Sequence, residues 1–218
     1  MENDPEALVE LERLGLRKVP VTVVGTAAVV GFNRDELGRL FKLKSAEEVQ
    51  RAGAWLFSTL DKVLEAVIRA ALQVPPDRLS WHTPDRNRPL KVFCYHILAD
   101  PNHVLDAIQS QKYDGSFKFA YEEAAERFPT MAALARFGGQ TRSRLNVAAE
   151  DLTETALDRP IEGYAGPTTG HELLHHVLSH TTHHLRQLYE ILRAIGVEPI
   201  QPLGEEDFKG IRLPESLW

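Results

Sequence analysis

Residues 169–195 constrain the fold of this chain more than any other stretch, because they read as one long amphipathic helix crowded with histidine. Thr169-Gly-His-Glu172 has the Ser/Thr-x-x-Glu form of a capping box, in which two side chains satisfy N–H groups that a first helical turn leaves unpaired. Leu173, Val177, Leu188, Ile191 and Ile195 follow at helical spacing as an inward stripe, and the helix is expected to end near Gly196. Six of the nine histidines fall in this stretch, at 171, 175, 176, 180, 183 and 184. At about 100° per residue, His180 and His184 lie on the inward face within roughly 40° of one another. His171 and His175 point to nearly the opposite side, where solvated or structural roles are expected, and His176 and His183 flank the stripe.

Two imidazoles at i and i+4 are neighbours on a helix surface and can converge on one ion. Burying both rings without partners would cost on the order of 1–3 kcal/mol each, so a shared divalent cation is the expected partner of His180 and His184. A third ligand must come from a facing helix. His96 and His103 are the candidates there, but two turns separate them by about 10 Å along the axis, so both cannot bind one ion. Spacing alone does not choose between them.

Three further segments carry helical periodicity. Ser45-Ala-Glu-Glu48 is a second capping box, opening a helix that carries Val49, Ala52, Leu56, Leu60, Val63, Leu64, Val67 and Ala71 until Pro75-Pro76 stops it. Pro89 is placed as the first residue of a helix from Leu90 to about Gln111, with a kink expected at Pro101. Another helix is expected from about Thr130 to Ala149, and the link to the last one contains Pro160, Gly163, Gly166 and Pro167. The class is therefore mainly α, an antiparallel four-helix bundle over residues 45–198 in which a long connection can cross over, followed by a surface-wrapping tail, 199–218.

Composition narrows the function. A net charge of -6 gives no positive field for a phosphate backbone, so no nucleic-acid partner is expected. No apolar run approaches the roughly 20 residues of a membrane span, and the acidic start lacks a secretory signal, so a cytoplasmic setting without membrane association is expected. With Cys94 as the single cysteine, an internal disulfide is excluded, and any thiol chemistry must use a thiol from outside the chain.

Residues 1–44 read differently. Pro5 to Leu14 is helical in pattern, Gly15 stops it, Lys18 to Gly25 and Ala27 to Gly31 are strand candidates, and Asn33-Arg-Asp-Glu36 opens a helix through Phe41. This α-β-β-α order, with Val19-Pro20 and Gly31-Phe32-Asn33, resembles the C-terminal half of a glutaredoxin, a small α/β segment in which Pro20 occupies the family's cis-proline place. The first strand and the Cys-containing loop have no counterpart, so the redox activity is not implied. Such a half would leave a sheet edge unpaired, which favours a homodimer. The segment is either a docking module or a retained thiol-binding groove beside Pro20.

The bundle, about residues 46–196, resembles the DinB/YfiT-like superfamily of metalloenzymes. His180-Thr-Thr-His183-His184 followed by Leu-Arg-Gln-Leu matches the family's fourth-helix run, except that Leu185 stands near a usual Arg-Gly-Gln, and Tyr95-His96-Ile-Leu matches its second-helix motif. The resemblance favours His96 over His103, and so implies a metal held by His96, His180 and His184, with His183, His176 or Tyr95 in proton transfer. Three neutral imidazoles leave open coordination positions; they suit zinc, nickel, iron or copper alike, and zinc or nickel is expected first, with iron or manganese as alternatives. Because the resembled superfamily includes thiol-dependent transferases and isomerases, the leading expectation is a metal-dependent S-transferase whose partners are a small-molecule thiol and an electrophile. A metal-dependent hydrolase, lacking an obvious base since Glu172 lies far along the helix, is the first alternative; a non-catalytic metal-binding or interaction protein is the second.

Overall fold

A computed structural model describes residues 9, 11–16, 20–25, 27–31, 34–41, 53–84 and 87–218. Two short strands, β1 (Val21–Val24) and β2 (Ala27–Val30), form an antiparallel hairpin, with Val21 opposite Val30, and α1 (Arg34–Leu40) follows. Residues 11–13 are helical, so the described part of the N-terminal segment keeps the expected α-β-β-α order. The Ser45 capping box and Asn33 lie outside the described residues.

The remainder is mainly helical. The long helices are α2 (Gly53–Ala71), α3 (Leu90–Ser110), α5 (Met131–Asp151) and α7 (Gly170–Ala194), with one-turn helices α4 (Tyr121–Ala125) and α6 (Glu154–Leu157) in the connections. Each long helix buries an aliphatic stripe, and those stripes meet in one core that includes Leu56, Leu60, Leu64, Phe93, Ile97, Leu134, Leu145, Leu174 and Leu188. α2 packs mainly on α5 and α7, and α3 packs on the same two, so α2 and α3 stand diagonally across the bundle. Helices consecutive in sequence are therefore joined over the bundle end by residues 72–89 and 152–169, a crossover arrangement rather than a simple up-and-down one. This topology brings α3 and α7, the two histidine-bearing helices, side by side.

Local chemistry explains the boundaries. Pro89 sits at the N-cap of α3, one place earlier than expected, and α3 runs through Pro101 to Ser110, ending at Gln111 in the left-handed region. Proline removes one N–H from that helix, so the Ile97 carbonyl four residues back loses its helical donor. Thr130 caps α5 through a 3.1 Å bond from Ala133 N. At α7 the capping box is complete: Glu172 N donates to Thr169 Oγ1 at 3.2 Å, and Thr169 N donates to Glu172 Oε2 at 3.0 Å. Thr169→Ala removes the acceptor and is expected to lower stability by about 1 kcal/mol, read as a reduced urea midpoint.

Strands absent from the sequence reading complete the fold. β3 (Lys112–Tyr113) runs parallel to β4 (Pro160–Gly163), which pairs antiparallel with β5 (Gly166–Thr169). Pro160 and Pro167, which argue against strands, sit here in very short strands of a small sheet where few ladder donors are needed. A 3-10 turn at Ser116–Phe119 and α4 follow β3. Sheet and turn together form the wall facing the junction of α3 and α7.

Candidate metal centre

Three histidines meet at that junction. His96 projects from α3 and His180 and His184 from α7, each offering a ring nitrogen within 4.8 Å of the others. Ring centroids lie 4.8 Å apart for His96 and His180, 5.0 Å for His96 and His184, and 4.3 Å for His180 and His184. His96 and His184 are buried, and Phe93 packs edge-on to His184 at 5.2 Å.

Asp100, one turn after His96, joins the set. Its Oδ2 lies 3.2 Å from His96 Nε2 and 3.1 Å from His180 Nδ1, and its Oδ1 accepts from the Tyr121 hydroxyl. Burial alone would raise the Asp100 carboxyl, but the rings of His180 and His96 that face it outweigh burial and hold the group well below the usual carboxylate range. Burial lowers His96 more than Asp100 raises it. His184 is pushed down to about 2, first by burial and then by the neighbouring His180 and His96. Neutral rings around an ionised carboxylate are the protonation pattern a cation site requires.

A cavity of about 480 Å³ opens onto His96, His180 and Asp100. Its wall carries Arg88 and Lys118, the aromatic residues Tyr113, Phe119, Tyr121 and Tyr164, and also Val92, Glu122, His176 and Val177. Arg88 is positioned by the turn before α3, where Thr83 N donates to its carbonyl at 2.8 Å, and its guanidinium donates to His96 Nδ1 at 2.8 Å. Lys118 donates to the Tyr164 hydroxyl and lies over that ring.

The other residues singled out in the sequence are dispersed. His176 lines the cavity, its ring 6.1 Å from that of His180. His183 packs against His184 at 5.5 Å and is not among the cavity-lining residues. Tyr95 turns away: it stacks on Phe128 and Phe137 and borders a separate groove with His103 and Arg144. His103 stacks on Phe117 at 4.0 Å, outside the cluster. His171 bridges Glu154 at 2.7 Å and Asp158 at 2.8 Å, tying α7 to α6. Pro20 is exposed beside β1, and its carbonyl accepts from Gly31 N at 2.8 Å. Sequence reasoning missed Asp100, Arg88, Tyr113, Lys118, Tyr121 and Tyr164; only Asp100 had a usable signal, its place one turn beyond His96.

The model of the DinB superfamily matches residues 58–188, a span that contains all three clustered histidines and Asp100. This chain belongs to the DinB superfamily. A DinB-like protein from Bacillus subtilis, known from a crystal structure at 2.30 Å resolution, is similar in fold. The identity is 19%, covering 69% of this chain and 96% of that one, with a TM-score of 0.54. No curated protein matches the chain.

The donor set of this DinB chain fits a divalent ion. Gln187 Nε2 donates to the Leu217 carbonyl at 2.6 Å, so Gln187 Oε1 faces His184 Nδ1 at 2.5 Å, and only an N–H there completes the pair. His184 Nε2 therefore carries a lone pair. His180 Nδ1 lies 3.1 Å from a carboxylate oxygen of Asp100 without the geometry of a hydrogen bond. The Nε2 atoms of His184 and His180 lie 3.0 Å apart, the distance of an N–H···N bond in which the His184 lone pair accepts, and a cation bound between the rings would take the place of that shared proton. A zinc-like tetrahedral ion, with bonds of about 2.0–2.1 Å, sets its ligand nitrogens roughly 3.3 Å apart, close to this spacing. His96 already has a partner at each nitrogen, so it joins an ion by exchanging Arg88 at Nδ1 or Asp100 at Nε2.

Proposed function

We propose that this DinB-superfamily protein is a metal-dependent S-transferase that activates a low-molecular-weight thiol for attack on an electrophile. The observation that carries it is the convergence of His96, His180 and His184 beside a cavity large enough for a small substrate. A divalent ion held there supplies Lewis acidity that favours the thiolate form of a bound thiol. The reading takes the nucleophile from outside: Cys94 is fully buried, burial pushes its thiol up to about 12, and among the described residues no serine, threonine or cysteine lines the cavity.

The chain's own groups fill the remaining roles. His176, at the cavity wall, takes the S–H proton as the sulfur–carbon bond forms, and returns it to the departing group, so that thiol and electrophile give thioether and protonated leaving group. Arg88 and Lys118 orient anionic portions of the substrates, and Tyr121, held neutral by a pKa raised first through burial and then by Asp100, anchors Asp100. The hydrolase alternative needs a carboxylate base at the open side. Asp100 is near enough, but its oxygens already face His96, His180 and Tyr121 and its pKa is lowered, which makes it a poor base. Zinc- or nickel-loaded protein, scanned with small thiols and alkyl or aryl electrophiles, is expected to turn over only with thiol present and to stop on chelation. Thiol-independent hydrolysis of the same compounds, or no turnover at all, counts against the reading.

The same reading treats residues 1–44 as a thiol-binding or docking segment of glutaredoxin descent, 45–198 as the metal-binding bundle and 199–218 as its tail. It also takes the edge of the β1–β2 hairpin, which pairs with no further strand among the described residues and partly exposes Val24 and Val30, as the seam of a homodimer. No described helix is long and apolar enough to cross a membrane.

A further inference from the structure

We propose that the segment 199–218 is a working part of the metal centre, acting through the Leu217 carbonyl to fix which nitrogen of His184 is offered to the ion; this rests on the metal site proposed above. Leu217 O accepts from Gln187 Nε2 at 2.6 Å, and Gln187 Oε1 in turn faces His184 Nδ1 at 2.5 Å. An amide can present either end to a neighbour, and the carbonyl behind it selects the oxygen. Without that carbonyl Gln187 is able to turn, donate to His184 Nδ1 and drive the ring proton to Nε2, the nitrogen that faces His180 at 3.0 Å. The lone pair needed by the ion is then lost.

The segment is built to hold this position. Arg69 donates to the carbonyls of Ile200 at 3.2 Å and Gln201 at 2.8 Å, and Lys62 pairs with Asp207 at 2.6 Å, fastening it to α2. Leu203 N donates to the Tyr189 hydroxyl at 3.0 Å and the Ser179 hydroxyl donates to the Arg212 carbonyl, fastening it to α7. His184, Gln187 and Leu217 are absent from the cavity lining, so the strap reaches His184 without entering the cavity. Gln187 is a positioning residue, and the strap positions Gln187.

The test uses zinc affinity, measured by chelator competition, and the ring ¹⁵N signals of His184 in metal-free protein. The chains compared are the wild type, a deletion of residues 215–218, full-length Gln187→Leu and Gln187→Glu, and the deletion combined with each substitution. The deletion and Gln187→Leu are each expected to lower zinc affinity by about 10–100-fold, with no further loss when combined, and to shift His184 away from its Nδ1–H form. Gln187→Glu accepts from Nδ1 without help from Leu217, so it retains near-wild-type affinity and is indifferent to the deletion. The proposal is overturned if the deletion leaves both affinity and ring signal unchanged, or if it weakens Gln187→Glu as much as the wild type. Should the deleted chain fail to fold, the full-length Leu and Glu substitutions decide: equal loss in both refutes the positioning role. A wild type that binds no zinc, yet whose His184 changes form on deletion, defeats the metal centre and leaves the strap's action on His184 standing.

Discussion

The His180→Ala chain is expected to emerge from purification without the stoichiometric divalent metal carried by the wild type, as read by elemental analysis of both. His180 Nε2 faces His184 at 3.0 Å and its Nδ1 faces Asp100 at 3.1 Å. Its removal takes away a ligand and leaves Asp100 Oδ2 with His96 alone, at 3.2 Å, so the loss should exceed the roughly 10–100-fold that an outer partner is worth. Asp100→Asn provides the comparison. Both rings face the same oxygen, Oδ2, and the amide that replaces the carboxylate has no charge and must turn its NH2 either to both rings or to the Tyr121 hydroxyl, so a loss of about 10–100-fold is expected with the bundle intact. Retention of full metal by the alanine variant would place the ion elsewhere and remove the basis for the proposed chemistry.

Acid is expected to weaken the metal-free protein from near neutrality downward. His184 is held neutral in the fold, down to about 2, whereas in the unfolded chain it titrates near 6.5. Above pH 6.5 neither state takes the proton and stability is complete; below it only the unfolded state does, and the folded state loses ground until the pH reaches the folded value. His96, also lowered by burial, acts in the same direction. Each such proton costs about 1.4 kcal/mol per pH unit within its window. Asp100, with its pKa depressed, adds a second loss only as pH falls below about 3.9. Urea midpoints in chelator at pH 7.5, 6, 5 and 4 should fall steadily, and more gently for His184→Leu; a flat profile between 7 and 5 would contradict the buried neutral ring.

Much of this was legible in the residues. The Thr169 capping box, the buried stripe of Leu173, Val177, Leu188 and Ile191, and the convergence of His180 and His184 all follow from helical period alone, which acts over a few turns. His96 and His103 share a face and differ only in height, a matter decided by how α3 slides against α7; sequence spacing carries no such information, and resemblance supplied the preference. Tyr95 shows the opposite failure: its neighbour enters the cluster, while its own direction, 100° round the helix, sends it to Phe128 and Phe137. The cavity wall was illegible because Tyr113, Lys118, Tyr121 and Tyr164 sit on short elements whose position depends on β3 pairing with β4 across a long separation in sequence.

That pairing separates two kinds of change open to the molecule. The clustered rings stand on long, deeply packed cylinders, where a substitution disturbs many neighbours, whereas the wall of the cavity is carried by brief loops tied down at a few hydrogen bonds such as Tyr164 N to the Tyr113 carbonyl at 2.8 Å. Insertions or exchanges in those loops can therefore redraw the cavity while the histidine cluster is left as it was, so descendants of one such ancestor are free to diverge in what they accept without rebuilding the cluster.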